Sequence, residues 1–421
     1  MITTTDIDRS QMLQRYRENR KRTAAVFWLV HDDAFYDRPI PLRHPFAFYE
    51  GHIPAFSYFT LNERSLGEPA LNGGFERLFE RGIDPASSDE ARRHERTDWP
   101  PRETVAAFAA ECDQKVEQAL QYGKIDDASN PRLVRAQAAW NILEHEEMHQ
   151  ETLLYIVHQL DPSRKHRIPQ EHRDHASPDT ALVGIAAGIA TLGALPDEIP
   201  FGWDNEFGRT TVDVAAFEIM RYPVTNGQWL RFVAAGGPIP HFWKERDGAW
   251  FLRALFEEIP LPLSWPVFVT HHQADAYARW AGMRLPAEAE YHRAAFGTPE
   301  GTERPYPWGT DAPAARHGNF GMVRFDPEPV DAHPAGDSAW GVADLVGNGW
   351  EWTATPFEPL PGFTPMASYP QYSADFFDGK HYVMKGASPV TARTMIRRSF
   401  RNWFYDSYPY MYAKFRCVAA R

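Results

Sequence analysis

Cysteine is nearly absent. The 421-residue chain has two, Cys112 and Cys417, far apart in sequence. Such usage excludes a disulfide-stapled secreted scaffold and leads to the expectation of a reducing, cytoplasmic compartment. Positive charge is also short: 44 Lys and Arg stand against 56 Asp and Glu, a formal net charge of −12. Surfaces that track phosphates carry the opposite excess, so neither nucleic acid nor an anionic membrane is an expected partner. No run of roughly eighteen apolar residues occurs. The longest candidate, residues 181–195, is interrupted by Gly184, Gly188 and Gly193 and is too short for a bilayer. The opening MITTTDIDRSQMLQRYRENRKR is polar and lacks the apolar core expected of a signal peptide.

What is present is ample core material, 43% hydrophobic and 14% aromatic, which excludes wholesale disorder and suits two domains. Its distribution is uneven. Trp28, Trp99 and Trp140 are the only tryptophans before residue 180; the remaining eleven of fourteen follow it. Residues 161–180 have no Phe, Trp or Tyr, contain three prolines and are densely charged. The expected division is a first domain over 1–160, a linker over 161–181 and a second domain over 182–421.

The first part reads as helices over 6–30, 104–122 and 131–160, the last opened by Asn130-Pro131, a cap followed by proline at the first helical position. A fourth segment over 45–61 completes an expected four-helix bundle, with 64–101 as a long connection over one mouth. The second part has short helical patterns only, at 274–281 and 286–295, and short strand-like runs such as 212–219 and 381–384 among turn residues. That describes a loop-dominated α+β domain, so the fold class is α + (α+β).

The sharpest chemical signal is His145-Glu146-Glu147-Met148-His149, followed by Gln150-Glu151. Histidines four apart on a helix lie about 40° apart around its axis, so both imidazoles can reach one ion; they can equally be polar residues of a solvated face. The string also fits the H-E-x-x-H zinc-protease pattern, with the glutamate as base. The longer metzincin pattern fails, because Thr152 stands where its glycine belongs. A third imidazole is expected from another bundle helix. His52, in Glu50-Gly51-His52-Ile53-Pro54-Ala55-Phe56, is chosen for its apolar neighbours, with His31 and His44 as alternatives. Three neutral histidines leave coordination positions open, and spacing alone does not separate zinc from iron.

Five strings in the second part follow a familiar order: Phe201-Gly202-Trp203-Asp204-Asn205-Glu206, Arg221-Tyr222-Pro223-Val224-Thr225-Asn226, Arg284-Leu285-Pro286-Ala287-Glu288-Ala289-Glu290, Gly347-Asn348-Gly349-Trp350-Glu351-Trp352 and Phe400-Arg401-Asn402-Trp403. They resemble the formylglycine-generating-enzyme (sulfatase-modifying factor) fold, a C-type-lectin-like domain. The first part resembles a DinB-like four-helix bundle, and together the two resemble the EgtB family of non-haem iron sulfoxide synthases. The resemblance implies an Fe(II) site of His52, His145 and His149, with O2 as co-substrate. It implies that a chalcogen donor is joined to hercynine, with no nucleic acid or membrane partner. By the same resemblance Asn402 and Trp403 hold the amino-acid part of the substrate. An aromatic ring suits a quaternary ammonium, which donates no hydrogen bonds. A formylglycine-generating activity needs a cysteine pair, and Cys417 is the only cysteine after residue 180.

Several positions depart from the family pattern. Met148 stands where a glutamine touches the substrate imidazole, and Phe404 where some members have aspartate. The catalytic tyrosine aligns with Met366, leaving Tyr369 and Tyr372 as candidates. The Gly51–Phe56 string resembles the selenoneine synthase branch, which implies a selenosugar donor. A sugar needs no carboxylate clamps, which Arg92, Arg93, Arg96 and Arg102 could otherwise form. The expected function is C–Se bond formation. The alternatives are C–S bond formation from cysteine or γ-glutamylcysteine, a DinB-type thiol transferase, and a non-catalytic carbohydrate-binding protein.

Overall fold

The computed structural model describes residues 7–80 and 98–420. They form two bodies. One holds the described residues up to Ile168 together with Pro365–Pro370; the other holds Pro169–Thr364 and the described residues from Gln371 onward.

In the first body, α1 (Arg9–Trp28) opens on Asp8, whose carboxylate accepts from the Gln11 N–H at 3.0 Å. Its buried Met12, Tyr16, Asn19, Thr23 and Val26 recur at three- and four-residue spacing, so one stripe faces inward. Helix α2 (Phe46–Tyr58) buries every residue except Glu50, as expected of a helix at the centre of a core. It continues as a π-helix over Phe59–Leu66 until Gly67, at φ 78°, ends it. Then come α3 (Gly73–Phe79), α4 (Arg102–Tyr122) and α5 (Gln137–Gln159). α1 packs on α4 and α5, and α2 on α3, α4 and α5. The long helices α1, α2, α4 and α5 make the expected bundle.

Two details differ from expectation. α3 lies within the stretch read as connection; Asn72 caps it by accepting from the Gly74 and Phe75 N–H groups. Residues 81–97, with Arg92, Arg93 and Arg96, lie outside the described residues. Second, α5 starts at Gln137 rather than 131. Arg135 and Ala136 take φ values of 57° and 53°, a left-handed geometry that cannot propagate a right-handed helix. Asp126 holds that kink by accepting from the Arg135 N–H at 2.9 Å, while Asn130 caps only a turn, accepting from the Arg132 N–H at 3.0 Å.

The second body runs β1 (Leu182–Ile185), β2 (Gly188–Leu192), β3 (Thr210–Val214), β4 (Phe217–Met220), α6 (Asn226–Ala234), β5 (Trp243–Arg246), β6 (Ala249–Arg253), β7 (Glu258–Pro260), α7 (His271–Trp280), β8 (Met283–Arg284) and α8 (Glu288–Phe296). The order finishes with β9 (Gly349–Pro356), β10 (His381–Ala387), β11 (Asn402–Tyr405), β12 (Ala413–Lys414) and β13 (Val418–Ala419). Two four-stranded sheets dominate, ordered β1-β4-β13-β8 and β11-β10-β9-β12. The run read as one element over 212–219 is two strands, β3 and β4. Trp203, Trp229, Trp265 and Trp352 are fully buried; the Trp265 ring N–H donates to the Arg173 carbonyl at 2.7 Å and that of Trp352 to the Val269 carbonyl at 2.9 Å. The bundle followed by this α+β body is the fold class expected.

The stretch between the domains is anchored at both ends. Lys165 pairs with Val30 in the first body, and Asp174 accepts from the Leu263 and Ser264 N–H groups in the second. Among the described residues, no helix is long and apolar enough to cross a membrane.

Candidate metal centre

Inside the first body, α2 and α5 face each other through histidines. His149 Nε2 lies 3.1 Å from His145 Nε2 and 3.2 Å from His52 Nε2, and the three ring nitrogens fall within 4.8 Å of one another. Among the described residues this is the single group of at least three His, Cys, Asp or Glu side chains placed to share an ion. Burial pushes His52 down to about 4, and pushes His145 and His149 well below their ordinary value with help from the neighbouring imidazoles. At neutral pH all three rings are uncharged.

Proton bookkeeping then decides what such a cluster wants. His52 Nδ1 lies 2.6 Å from the Phe79 carbonyl oxygen, which can only accept, so the proton sits on Nδ1 and Nε2 carries a lone pair. That lone pair and the two other Nε2 atoms converge on one point, where a single shared proton cannot satisfy three nitrogens. A cation can. Two imidazole nitrogens bound to one ion at ~2.1 Å stand ~3.0–3.4 Å apart, which the observed spacings match. Among the described residues the buried Nδ1 atoms of His145 and His149 have no hydrogen-bond partner, so nothing there opposes a proton on Nδ1 and a lone pair on Nε2. The residues fit a divalent ion held by three neutral nitrogen donors.

Aromatic packing holds the rings. Phe56 stacks on His145 with centroids 3.5 Å apart and planes 10° apart, and Phe48 stacks on His52 at 4.8 Å. Tyr49 lies 5.6 Å from His149. The Pro365–Pro370 segment adds Tyr369, 5.1 Å from Phe56 and 6.2 Å from His145. Asn141, one turn before His145, holds this segment by donating to Met366 Sδ at 3.3 Å and Ser368 Oγ at 3.0 Å. Tyr369 is therefore brought beside the histidines. Tyr372 belongs to the other body, stacked on Trp203 at 3.9 Å and edge-on to Trp403 at 5.2 Å.

The glutamates of the string turn elsewhere. A helical step of one residue rotates a side chain by about 100°, and Glu146 accordingly faces α1. It accepts from Thr23 Oγ1 at 2.6 Å and Arg20 Nη1 at 3.0 Å. A zinc-protease base would have to face the ion, so that pattern is not met. Glu147 accepts a bidentate pair from Arg15 at 2.9 and 2.6 Å, and Glu151 accepts from the Tyr155 hydroxyl. Met148 is partly exposed on α5. Arg102 is engaged by Glu50 at 3.0 Å and Asp32 at 2.7 Å.

In the second body, β11 carries the expected substrate residues. Asn402 Oδ1 accepts from the Trp403 N–H at 2.9 Å. Trp403 stacks on Phe357 at 4.3 Å with Phe376 5.6 Å away, and Phe404 lies 5.1 Å from Tyr408. Cys417 is fully buried, and that burial raises its thiol pKa. Sequence reasoning missed three contributors: Phe56 as the ring against His145, Asn141 as the anchor, and Phe79. A signal existed for the first, since Phe48, His52 and Phe56 recur every four residues along one face of α2. Phe79 had none.

Residues 168–421 match the sulfatase-modifying factor enzyme 1-like domain, and residues 15–153 match the DinB superfamily. A hercynine oxygenase of Mycobacterium tuberculosis is 39% identical, covering 50% of this chain and 54% of the relative. One from Mycolicibacterium smegmatis is 36% identical over 62% of this chain and 67% of its own length. Ergothioneine biosynthesis protein 1 of Schizosaccharomyces pombe is 30% identical over 93% of this chain and 53% of its own. The chain thus spans about half to two thirds of the length of these relatives.

Proposed function

The chain belongs to the EgtB-like sulfoxide synthase family, and on that premise we propose that it is an Fe(II)- and O2-dependent oxidoreductase that joins a sulfur donor to the imidazole ring of hercynine. The observation that carries this reading is the convergence of three uncharged imidazoles, those of His52 and His145 buried and that of His149 partly so, on one point. His52, His145 and His149 hold the ion, which when bound supplies the activation of O2. Tyr369, the tyrosine beside the histidines, holds the hydroxyl proton that the reaction needs near its centre. Trp403 offers an aromatic surface to the trimethylammonium group, and Asn402 an amide to the carboxylate. The likeness to hercynine oxygenases and ergothioneine biosynthesis proteins favours a thiol over the selenosugar first expected.

A second reading, C–Se bond formation from a selenosugar, rests on specific positions. Met148 and Phe404 carry no polar group where the family pattern has a glutamine or aspartate, and Met366 replaces the aligned tyrosine. A thiol of pKa about 8.5 is mostly protonated at neutral pH, so a softer, more acidic selenol would need less activation. The decisive assay supplies Fe(II)-loaded protein with hercynine, O2 and one donor at a time: γ-glutamylcysteine, cysteine or a selenosugar, at equal concentration. Fastest product formation with a thiol supports the first reading, and preference for the selenosugar installs the second. No Fe(II)- and O2-dependent product from any donor overturns both.

A further inference from the structure

Glycine is a poor residue for the middle of a buried helix, yet Gly51 sits within α2 immediately before His52. Its backbone needs no glycine, since Gly51 has no positive φ. Space does. A Cβ built on Gly51 would lie 2.5 Å from both Cε1 and Cε2 of Phe79, well inside van der Waals contact. That ring cannot swing aside freely: Phe79 is fully buried, with Phe75 5.7 Å, Phe48 6.2 Å and Phe108 6.3 Å away.

Phe79 is also the last residue of α3, and its carbonyl is one of those that a helix C-terminus leaves without an intrahelical partner. It accepts from His52 Nδ1 at 2.6 Å. The negative end of the helix therefore meets the protonated nitrogen of the imidazole. Of the three clustered histidines, His52 is the one with such a partner among the described residues; the Nδ1 atoms of His145 and His149 have none there.

We propose that the Gly51–Phe79 contact is a positioning device for the metal site: the absent side chain at Gly51 lets Phe79 seat, and the seated Phe79 carbonyl fixes which nitrogen His52 turns toward the ion. Phe79 and Gly51 are positioning residues, acting through His52. The inference rests on the reading of His52 as a ligand. It also gives the Gly51–Phe56 string a physical role that does not depend on the donor.

The test measures Fe(II) affinity of the full chain without oxygen or substrates, by competition with a chromogenic chelator. Gly51→Ala is expected to weaken binding about 10–100-fold, the usual cost of losing an outer partner of a ligand. Phe79→Leu keeps the carbonyl and should stay within about threefold of the parent, an allowance scaled to that same cost. Gly51→Ala with Phe79→Leu should recover most of the loss, because the shorter side chain clears the added methyl. His52→Ala is the control: parental affinity there sinks the ligand assignment itself. If His52→Ala loses the ion but Gly51→Ala keeps parental affinity, or the double variant shows no recovery, the positioning role is overturned. Nitrogen NMR of the metal-free parent gives a readout free of any folding defect in the variants. A proton on His52 Nδ1 is required, and one on Nε2 refutes the proposal.

Discussion

One buried polar cluster in each body is built in an opposite way. In the second, Arg416 and Glu351 are both fully buried and doubly bonded, at 2.6 and 3.0 Å, and the guanidinium also donates to the carbonyls of Met220, Arg221, Ala343 and Asp344. Lys414 beside them reaches the Asp344 carboxylate at 2.9 Å and the Gly347 carbonyl at 2.7 Å. Charge meets charge, and the spare donors meet backbone. In the first body the histidine cluster is uncharged, its Nε2 atoms face one another and two Nδ1 atoms have no partner among the described residues. Saturated networks tie loops to sheets in a body short of regular structure. Ring nitrogens turned toward one another, with too few protons to join them, mark where an ion belongs.

The comparison is broken most severely at the histidines. Removing His149 as His149→Ala should abolish turnover and most bound iron, while circular dichroism and the melting midpoint stay close to parental, because no charge is orphaned. Retained iron and activity would make the cluster an ordinary polar core. The reverse pattern is expected at the saturated pair. Glu351→Gln leaves Arg416 buried without its counter-charge and should cost about 3–5 kcal/mol of stability in denaturant melts, with iron binding per folded molecule unchanged. A loss below about 1 kcal/mol would show that the carbonyl bonds alone suffice for Arg416, the scale of an ordinary hydrogen bond.

Smaller effects sharpen the assignment. Tyr369→Phe removes only a hydroxyl beside the cluster and should lower turnover about 10²-fold, the low end for a positioned proton donor, with iron content intact. Unchanged turnover would exclude Tyr369 as that donor. The smallest effect is expected at Trp403. Trp403→Ala should weaken hercynine by about 0.5–2 kcal/mol and histidine by less, because only the trimethylated compound gains cation–π attraction. Equal losses in calorimetric titrations would reduce Trp403 to packing against Phe357.

Much of this was legible in the chain, and the exceptions have causes. Helix periods exposed the bundle, yet the start of α5 was misplaced, because Asn130-Pro131 is a strong local cap that Arg135 and Ala136 override six residues later. The short α3 escaped notice because seven residues give too few turns for a periodic signal. His145 and His149 were readable as a pair from helical geometry. Glu146 could be read as a catalytic base only until its rotation toward Arg20 and Thr23 was known.

The sequence by itself determined two domains of different character, an α-helical bundle ahead of a tryptophan-rich α+β unit, and the placing of two histidines on one helix face. These follow from composition and from the 3.6-residue repeat, which act over a few turns. Tertiary structure selected His52, the sequence's first choice over His31 and His44, to meet a partner 97 residues away, and it alone decided that Phe79 sets its tautomer across 27 residues and that Asn141 draws Tyr369 in by bonds spanning 225 and 227. Such contacts depend on how helices pack and where loops return, and no local pattern in the chain encodes them.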